Sequence, residues 1–512
     1  MNSKSIRQMS TLVLSTGGSR LLGLVRDVAF FSSFGTGLIA SAFLMAFTLP
    51  NLFRRLLGEG ALASAFIPVF SQNWNCDPKS GFRLLNQTLT RLLLYFGGGI
   101  ALASILLLGF HHQYDLPEKW SVTLPMLVML LPYAVMICMA AILTAALNVF
   151  GKFFLASLSP IFLNLAMISA LLAGNYLFPA GSLSLAIMLC VGVLCGGLLQ
   201  FLLPAAQLVG HQWLPQVNLQ PSPELQRLRQ LFLTATGGAA ILQVNILVTR
   251  LIAYQHSDAA VSQLYLASRL TELPLGMFAV AIYTVLFPLL SGFAARADHA
   301  RFSETCKHGI LLSYGITMPA AVGLALLAQP IISVLFQWGK FTSHDVVQSA
   351  PVLSIYAASV PCYAIIALLT RVFHSRQEMR SPVQVSAIAL VLNATLSIGL
   401  MIPFGVLGLA SANVITSLVQ LCLLVGLLRH RDWIDSLGSM LSPLLRMSAA
   451  AVFMGFCVVG LSWWLPKPAT GEIALQILAL GTHIATGVLS YALACWLMGL
   501  RSWFSKPTDR IS

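Results

Sequence analysis

The chain has 512 residues, of which 57% are hydrophobic and only 9% are charged, and its formal net charge is +13. Soluble domains usually carry about 25% charged residues, so this composition excludes an ordinary soluble domain. Apolar runs recur along the whole length. Two long stretches, 153–223 and 381–428, contain no Asp, Glu, Lys or Arg.

These apolar runs predict helices that cross a membrane. A spanning helix needs ~20 mostly apolar residues, and only helices and closed barrels satisfy their backbone polar groups in lipid. The alternating pattern of ~10-residue strands expected of a membrane barrel is absent. The sequence therefore predicts an all-α polytopic membrane protein with about fourteen spans, at 6–33, 37–57, 84–110, 121–148, 153–178, 181–207, 226–254, 260–290, 307–329, 345–372, 381–402, 405–428, 442–465 and 473–499.

The N-terminal segment has some features of a signal peptide, because Lys4 and Arg7 precede an apolar stretch. Arg20, Arg26 and Asp27 follow, however, without a small-residue cleavage site. We therefore expect the segment to be retained as the first transmembrane helix.

Lysine and arginine residues in the connections predict the orientation. If the N-terminus is cytoplasmic, the cytoplasmic segments hold eighteen of them and the external loops hold only Lys119, Lys340 and Lys467. This bias follows the positive-inside rule, and it places both termini in the cytoplasm. It also accounts for most of the net positive charge, so no nucleic-acid partner is needed to explain that charge.

Four short segments recur at an offset of about 220 residues. "STGGSRLLGLVRD" resembles "ATGGAAILQVNILVTR", "ALNVFGKF" resembles "LTRVFHSR", Pro50 matches Pro274, and Pro68 matches Pro288. The offset spans six helices, so the two copies have the same orientation and substrate is expected at their interface. We predict an N-lobe at 1–210 (helices 1–6), a C-lobe at 222–430 (helices 7–12), and two extra helices at 440–500.

Charged residues within the predicted spans are the candidate functional residues, since an arginine at a helix centre costs ~2.5–3.5 kcal/mol on insertion scales. Arg91, Arg250 and Arg446 are interpreted as residues that reach the interface. The remaining charged residues within the spans occur close to other polar residues. Ser19 shares a helix face with Arg26, and Arg55 and Arg269 each have an acid one helical turn away. Guanidinium groups bind phosphate and carboxylate oxygens in pairs, so this cluster predicts an anionic substrate.

Several kinds of chemistry have no motif in the sequence. There is no G-x-x-x-x-G-K-[ST], no H-E-x-x-H and no aspartate-rich diphosphate–metal motif, so neither nucleotide hydrolysis nor zinc catalysis is predicted. The nine cysteines are scattered without a C-x-x-C pair, so no disulfide or metal site is predicted. We expect a protein that is not an enzyme and needs no cofactor.

Five segments resemble the MurJ (MviN) family of lipid II flippases, in the multidrug/oligosaccharidyl-lipid/polysaccharide exporter superfamily. They are "GSRLLGLVRD", "LPNLFRRLLGEGALASAFIP", "RLTELPLG", "LFQWGKFT" and "FHSRQEMRSPV". The resemblance implies fourteen helices in two lobes that open alternately to each side of the bacterial inner membrane. It also implies transport of lipid II, an undecaprenyl-diphosphate-linked disaccharide peptide, for cell-wall biogenesis, with the last two helices forming a groove for the lipid tail.

The resemblance also assigns site residues. The substrate-binding arginines of the family correspond to Arg20, Arg26, Arg54 and Arg269, and its supporting or gating polar residues correspond to Ser19, Asp27, Asn51, Arg55 and Glu59; Glu272, one turn from Arg269, joins the supporting set. Other implied partners are membrane lipids and the cell-wall synthesis machinery.

Two residues depart from the family pattern. Ser41 and Ser268 stand where relatives often have acids, and the substitution Ser41→Asp is therefore expected to be tolerated or mildly helpful. Some relatives hold sodium between carboxylates of the second lobe, but helices 7, 11 and 12 here carry no acid, so that site is not predicted.

Three alternative functions remain at this point. A related exporter could carry another polyprenyl-linked glycan or drugs, although exporters of cationic drugs need buried carboxylates rather than arginines. A membrane enzyme acting on polyprenyl phosphates would need an external catalytic base, and the external acids are unclustered. A scaffold that transports nothing would leave the arginines in the membrane without a role.

Overall fold

The computed structural model of the protein describes residues 3–152, 154–435, 438–464 and 472–500, without the side chains of 3–17, 58–61, 154–157 and 234–239. Helices account for nearly all of the described chain, and no strand occurs in it. Within these residues nine helices are long and apolar enough to cross a membrane, or up to ten if one bent pair is counted. The all-helical multi-pass architecture is confirmed, whereas the count of fourteen is not established.

The chain forms two compact units, Met1–Ser262 with Trp338–Phe341 and Gln263–Gln337 with Thr342–Ser512. Unit 1 contains α1 (Ser3–Phe34), α2 (Leu38–Phe53), α3 (Leu62–Cys76), α4 (Pro78–Arg91), α5 (Gly98–Gln113), α6 (Glu118–Val149), α7 (Phe154–Leu177), α8 (Leu183–Gly210), α9 (Pro223–His256) and the start of α10 (Ala260–Pro274). Unit 2 contains the rest of α10, α11 (Val280–Ala295), α12 (His299–Leu326), α13 (Ala328–Phe336), α14 (Ser343–Ala357), α15 (Val360–Ser375), α16 (Arg380–His430), α17 (Gly438–Trp464) and α18 (Ile473–Leu497).

Within unit 1, α7 packs against α1 and α8, and α6 packs against α2 and α8. Close approach of α8 to α7 depends on glycines: a side chain at Gly192 would lie 2.5 Å from the Ala170 Cβ atom, and one at Gly196 would lie 3.0 Å from the Leu163 backbone. Such small residues allow helices to pack closely in a membrane. Gly98 of α5, by contrast, has nothing among the described residues within 4 Å of an added Cβ atom, so close helix packing does not require a glycine there.

In the described part of the chain three π-helical segments interrupt the α-helices, at Arg54–Ala61, Leu92–Gly97 and Leu275–Ala279. Two of them follow the prolines that the internal repeat matches, Pro50 and Pro274. Proline removes one backbone N–H donor and clashes with the carbonyl four residues earlier, and a π-segment is one way for a helix to absorb such a change in register. Segments of this kind are frequent at functional sites.

The longest helix, α16, is two helices joined at a kink. Gly405 has φ 56° and ψ −132°, which is outside the helical region. Only glycine adopts such a conformation readily, and Pro403 lies two residues earlier. The predicted break between spans 381–402 and 405–428 is therefore confirmed, although the two helices are joined without a loop.

The connection between α8 and α9 is bound to α4 by hydrogen bonds. The indole N–H of Trp213, a buried residue of the connection, donates to the Asn86 Oδ1 atom at 2.8 Å. Arg91 Nη2 donates to the carbonyls of Leu219 at 3.0 Å and Gln220 at 2.9 Å. Arg91 therefore satisfies backbone groups of the connection, a role that its interpretation as a simple interfacial residue did not include.

The turn before α16 holds an ion pair that also caps the helix. Glu378 Oε2 accepts from Arg431 Nη1 at 2.8 Å, and its Oε1 accepts from the backbone N–H groups of Arg380 and Ser381 at 3.1 Å. The Arg431 hydrogen bond, followed by those from the backbone, lowers the pKa of Glu378. Acids near a helix N-terminus stabilise it because they satisfy its unpaired donors.

The substitution Glu378→Gln is expected to lower the melting temperature at neutral pH and to matter little in acid. Because the pKa of Glu378 is lowered on folding, its stabilisation is present above the ordinary glutamate pKa of about 4.3 and is lost as the pH falls through the folded value. The melting temperatures of both proteins should be measured at about pH 7 and below about pH 4. If the difference in melting temperature between the two proteins stayed constant across this pH range, the charge of Glu378 would not be what stabilises the turn.

Candidate functional site

The Arg26 guanidinium is the centre of a buried polar network in unit 1. Its Nε and Nη2 atoms donate to the Asp27 Oδ1 atom at 3.0 and 2.6 Å, and the two side chains are only 11% and 3% exposed. Its Nη1 atom donates to the Asn164 Oδ1 atom at 3.1 Å. The Asn164 amide nitrogen then donates to the Ser19 carbonyl at 3.3 Å. Asn164 of α7 thus links two positions of α1 that are seven residues apart.

Asn164 is the residue of this network that the sequence prediction missed. It is 5% exposed and lies in the long stretch without charged residues. Buried amides in such surroundings are expected to be hydrogen-bonded, so an asparagine in an apolar span was the available signal. With both amide atoms bonded, Asn164 and Asp27 together fix the plane of the Arg26 guanidinium.

Arg54 and Asn51 form a second contact, where α2 passes into the first π-helical segment. Arg54 Nε donates to the Asn51 Oδ1 atom at 2.8 Å. Arg55 is half-buried beside it. The predicted pairing of Arg55 with Glu59 falls outside the described residues, because the Glu59 side chain is not among them. The backbone there is π-helical, so the spacing of an ordinary α-helix does not apply.

Arg250 of α9 contacts α2. Its Nη1 atom donates to the Thr48 hydroxyl at 2.6 Å, and that hydroxyl donates to the Leu44 carbonyl at 2.6 Å. Thr48 lies one helical turn before Asn51. The sequence interpretation of Arg250 as an interfacial residue is thus replaced by a polar contact inside unit 1.

The remaining predicted residues are more exposed. Arg20 is exposed on α1. In unit 2, Arg269 Nη1 lies 3.1 Å from the Glu272 Oε2 atom, and the side chains are 30% and 47% exposed. This is the one-turn pairing that their spacing predicts. The structure thus forms an Arg26–Asp27–Asn164–Ser19 group, an Asn51–Arg54 group and an Arg269–Glu272 group.

Ser41 of α2, which departs from the family pattern because relatives often have an acid there, is fully buried. Its hydroxyl lies 2.8 Å from the Ser262 hydroxyl, and both residues are 0% exposed. The half-buried Ser268 hydroxyl donates to the Tyr265 carbonyl at 2.8 Å. Because both serines are fully buried, a carboxylate at position 41 would have no access to solvent, and this changes what the Ser41 substitution is expected to do.

The substitution Ser41→Asp is now expected to reduce membrane abundance strongly, in contrast to the tolerance expected from the sequence. An unpaired buried charge costs several kcal/mol, whereas Ser41→Ala removes one hydrogen bond for about 1 kcal/mol. Abundance and melting temperature of the two variants should be compared. Normal levels of Ser41→Asp would show that the Ser41–Ser262 contact does not persist in the membrane.

Comparison with known proteins decides the family. The family model described as "Lipid II flippase MurJ" matches residues 30–478. The chain belongs to the MurJ family. A probable lipid II flippase MurJ of Bdellovibrio bacteriovorus is 34% identical over 97% of this chain and 95% of its own length. A second, of Vibrio cholerae, is 32% identical over 94% of both.

Solved structures agree in fold with this MurJ-family assignment. A lipid II flippase MurJ in an inward closed conformation matches with a TM-score of 0.78 and 24% identity, over 95% of this chain and 98% of that one. An inward-facing multidrug resistance MATE transporter of the MOP superfamily matches with a TM-score of 0.66 and 15% identity, over 81% of this chain and 94% of that one. The MurJ family is one of lipid flippases, and this member is a multi-pass membrane protein.

Proposed function

We propose that this protein moves lipid II from the inner to the outer leaflet of the bacterial inner membrane. The observation that carries the proposal is the Arg26 guanidinium, which is buried in an apolar helical unit and oriented by Asp27 and Asn164. Placing such a group in a membrane is costly, and an anionic substrate offers a reason for it. The relatives named lipid II flippases support lipid II as that substrate.

In the proposed mechanism the diphosphate of lipid II is bound by Arg20, Arg26, Arg54 and Arg269. Guanidinium groups stay charged at every physiological pH and bind phosphate oxygens in pairs. The lobes at 1–210 and 222–430 alternately open a cationic central cavity to each side, and the supporting residues hold the arginines in position. Neither a cofactor nor a metal takes part.

The helices of 440–500 are proposed to form a groove for the undecaprenyl tail. Within unit 2, α17 packs against α12 and α18, and Trp463, Leu489 and Leu493 are among many exposed apolar side chains of α17 and α18. Such surfaces suit lipid chains. Membrane lipids, and in the cell the cell-wall synthesis machinery, are the other proposed partners.

Both termini and the connection between α8 and α9 are proposed to be cytoplasmic, from the distribution of Lys and Arg. Single cysteines can test this in a variant without the natural nine. A membrane-impermeant maleimide added outside should label positions next to Lys119 and Lys340, and it should not label those next to Lys152 and Arg376. The reverse labelling pattern would overturn the orientation.

Transport itself can be tested in a bacterium depleted of its own lipid II flippase. Expression of this protein should restore growth and raise the amount of lipid II that is accessible at the outer leaflet. Normal membrane levels without any outward lipid II would contradict the proposal. If a different polyprenyl-linked glycan appeared outside instead, the chain would be an exporter of that glycan.

A further inference from the structure

The segment Trp338–Phe341 is the centre of the motif "LFQWGKFT", to which the proposed function assigns no role. It belongs to compact unit 1, whereas the chain on both sides of it belongs to unit 2. Its neighbours in sequence are α13 and α14, both helices of unit 2. The segment is therefore a short piece of the second half of the chain that is built into the first unit.

A main-chain hydrogen bond and an aromatic contact bind the segment to the last turn of α1. The Lys340 backbone N–H donates to the Ser32 carbonyl at 2.8 Å. That carbonyl is one of the last four of the helix, which have no regular partner within the helix itself. The Phe341 ring lies 5.7 Å from the Phe31 ring in an edge-to-face arrangement, and the two residues are 1% and 0% exposed. The segment thus caps the C-terminal end of α1.

The contact depends on the glycine that precedes the hydrogen-bond donor. Gly339 has φ 57°, in the left-handed region that favours glycine. A Cβ atom at Gly339 would also overlap the Ser32 carbonyl oxygen and lie 3.2 Å from the Ser32 carbonyl carbon. Both the backbone conformation and the close approach therefore require glycine, so a single methyl group added there should push the segment away from α1.

The segment has little slack at either end. On one side, the Thr342 N–H and hydroxyl donate to the Asp345 Oδ2 atom at 2.8 and 2.9 Å and so cap α14. On the other side, the Gln337 N–H donates to the Ser333 carbonyl of α13 at 3.1 Å. A stretch of four residues spans at most ~14 Å when fully extended. A movement of α13 and α14 away from α1 must therefore pull the segment off the end of α1.

We propose that Trp338–Phe341 is a latch that is bound to α1 in one conformation of the transport cycle and released in another. One hydrogen bond and one ring contact are few enough to break and re-form, since segments with few contacts open at low cost. The proposal rests on the proposed function, because a latch has a role only if the protein alternates between conformations. In the proposed orientation Lys340 is external, so the latch acts on the external side.

The decisive test links the latch to α1 covalently. Ser32→Cys and Lys340→Cys are introduced together into a variant that lacks the nine natural cysteines. Both substitutions keep the Lys340–Ser32 hydrogen bond, because main-chain groups form it. A short bifunctional thiol reagent, added to a bacterium that depends on this variant, should abolish the appearance of lipid II at the outer leaflet. A reductant that cleaves the cross-link should restore it.

Ser33→Cys with Asn175→Cys is the matched control pair. The Asn175 Nδ2 atom donates to the Ser33 hydroxyl at 2.7 Å, so this pair joins the same end of α1 to α7, and both helices lie wholly in unit 1. Its cross-link should leave flipping intact. Normal flipping with the Ser32–Lys340 cross-link, or an equal loss with both pairs, would overturn the latch while the proposed function stands.

Hydrogen exchange tests release of the latch without any transport assay. In protein reconstituted in nanodiscs, Gly339→Ala should speed exchange of the Lys340 amide by about fivefold or more, as expected for the loss of one hydrogen bond. Gly37→Ala is the control, because Gly37 is exposed and has nothing within 4 Å of an added Cβ atom, and it should leave this exchange unchanged. Equal exchange in wild type and Gly339→Ala would overturn the latch contact.

The two measurements separate the latch from the proposed function. If wild type flips no lipid II, the proposed function fails, and the exchange of Lys340 still decides whether the segment is held on α1. If Gly339→Ala fails to fold, as its melting temperature would show, the cross-link decides alone.

Discussion

Arg26→Lys is expected to leave the protein in the membrane and to reduce lipid II flipping by about tenfold to a hundredfold. A hydrogen bond to a charged group contributes ~1.5–3 kcal/mol, and each 1.4 kcal/mol is a factor of about ten. Lysine keeps the positive charge but has no planar fork. A single ammonium group does not reproduce the contacts of Arg26 with Asp27 and Asn164, so the charge loses its fixed orientation.

Lysine is the informative substitution because alanine would confuse function with stability. Arg26→Ala would leave the buried Asp27 carboxylate without its ion-pair partner, and breaking a buried pair costs about 3–5 kcal/mol. Membrane abundance should be measured first for Arg26→Lys, and flipping should then be assayed at matched levels. Arg54→Lys and Arg269→Lys are expected to lose flipping in the same way.

Arg446→Lys is the matched control. Arg446 is exposed in α17, and its Nη1 atom donates to the Met498 carbonyl at 3.3 Å. A lysine ammonium can satisfy one carbonyl at the end of a helix, so this variant should flip lipid II normally. If Arg26→Lys, Arg54→Lys and Arg269→Lys were all as active as Arg446→Lys, the arginines would not bind the diphosphate through their forks.

Local spacing made part of the candidate site predictable. The seven-residue interval between Ser19 and Arg26 places them on one helix face, and the Ser19 carbonyl and the Arg26 guanidinium both bond to Asn164, although the interval did not identify Asn164 itself. The three-residue interval between Arg269 and Glu272 gives their ion pair. In such cases the geometry of one helix decides the contact, so the sequence is sufficient.

Contacts between distant helices were not predictable in this way. Asn164 lies 138 residues from Arg26, and Thr48 lies 202 residues from Arg250. A single sequence does not reveal which apolar helices pack together, because many pairings bury similar surfaces. For this reason Asn164 was missed, and Arg91 and Arg250 were interpreted as interfacial residues.

Helix breaks lie between these two cases. Pro50 and Pro274 indicated that their helices are perturbed, but proline alone does not specify whether a helix kinks, ends or becomes π-helical. The structure has π-helical segments after both. At Pro403 and Gly405 the expected break is present, and its consequence for packing is the close approach at Gly408.

Gly408→Ala is expected to lower the stability of the protein strongly. A Cβ atom at Gly408 would overlap the Leu400 carbonyl oxygen and lie 2.5 Å from the Leu400 carbonyl carbon. Both are backbone atoms, so no side-chain rotation relieves the clash. Overpacking usually costs about 1–3 kcal/mol when side chains can move, so the cost here should reach or exceed the upper end of that range.

Gly399→Ala provides the control on the same helix. Gly399 is exposed and has nothing within 4 Å of an added Cβ atom, and alanine is favoured over glycine in helices by about 1 kcal/mol. Gly399→Ala should therefore melt at or slightly above the wild-type temperature, whereas Gly408→Ala should melt well below it and accumulate poorly in membranes. Equal melting temperatures for the two variants would mean that the helices before and after Gly405 do not approach as closely as the kink requires. A loss of stability in Gly408→Ala alone would instead show that the two halves of α16 pack closely through Gly408, since the three atoms nearest to the added methyl group are backbone atoms of Leu400 and Met401.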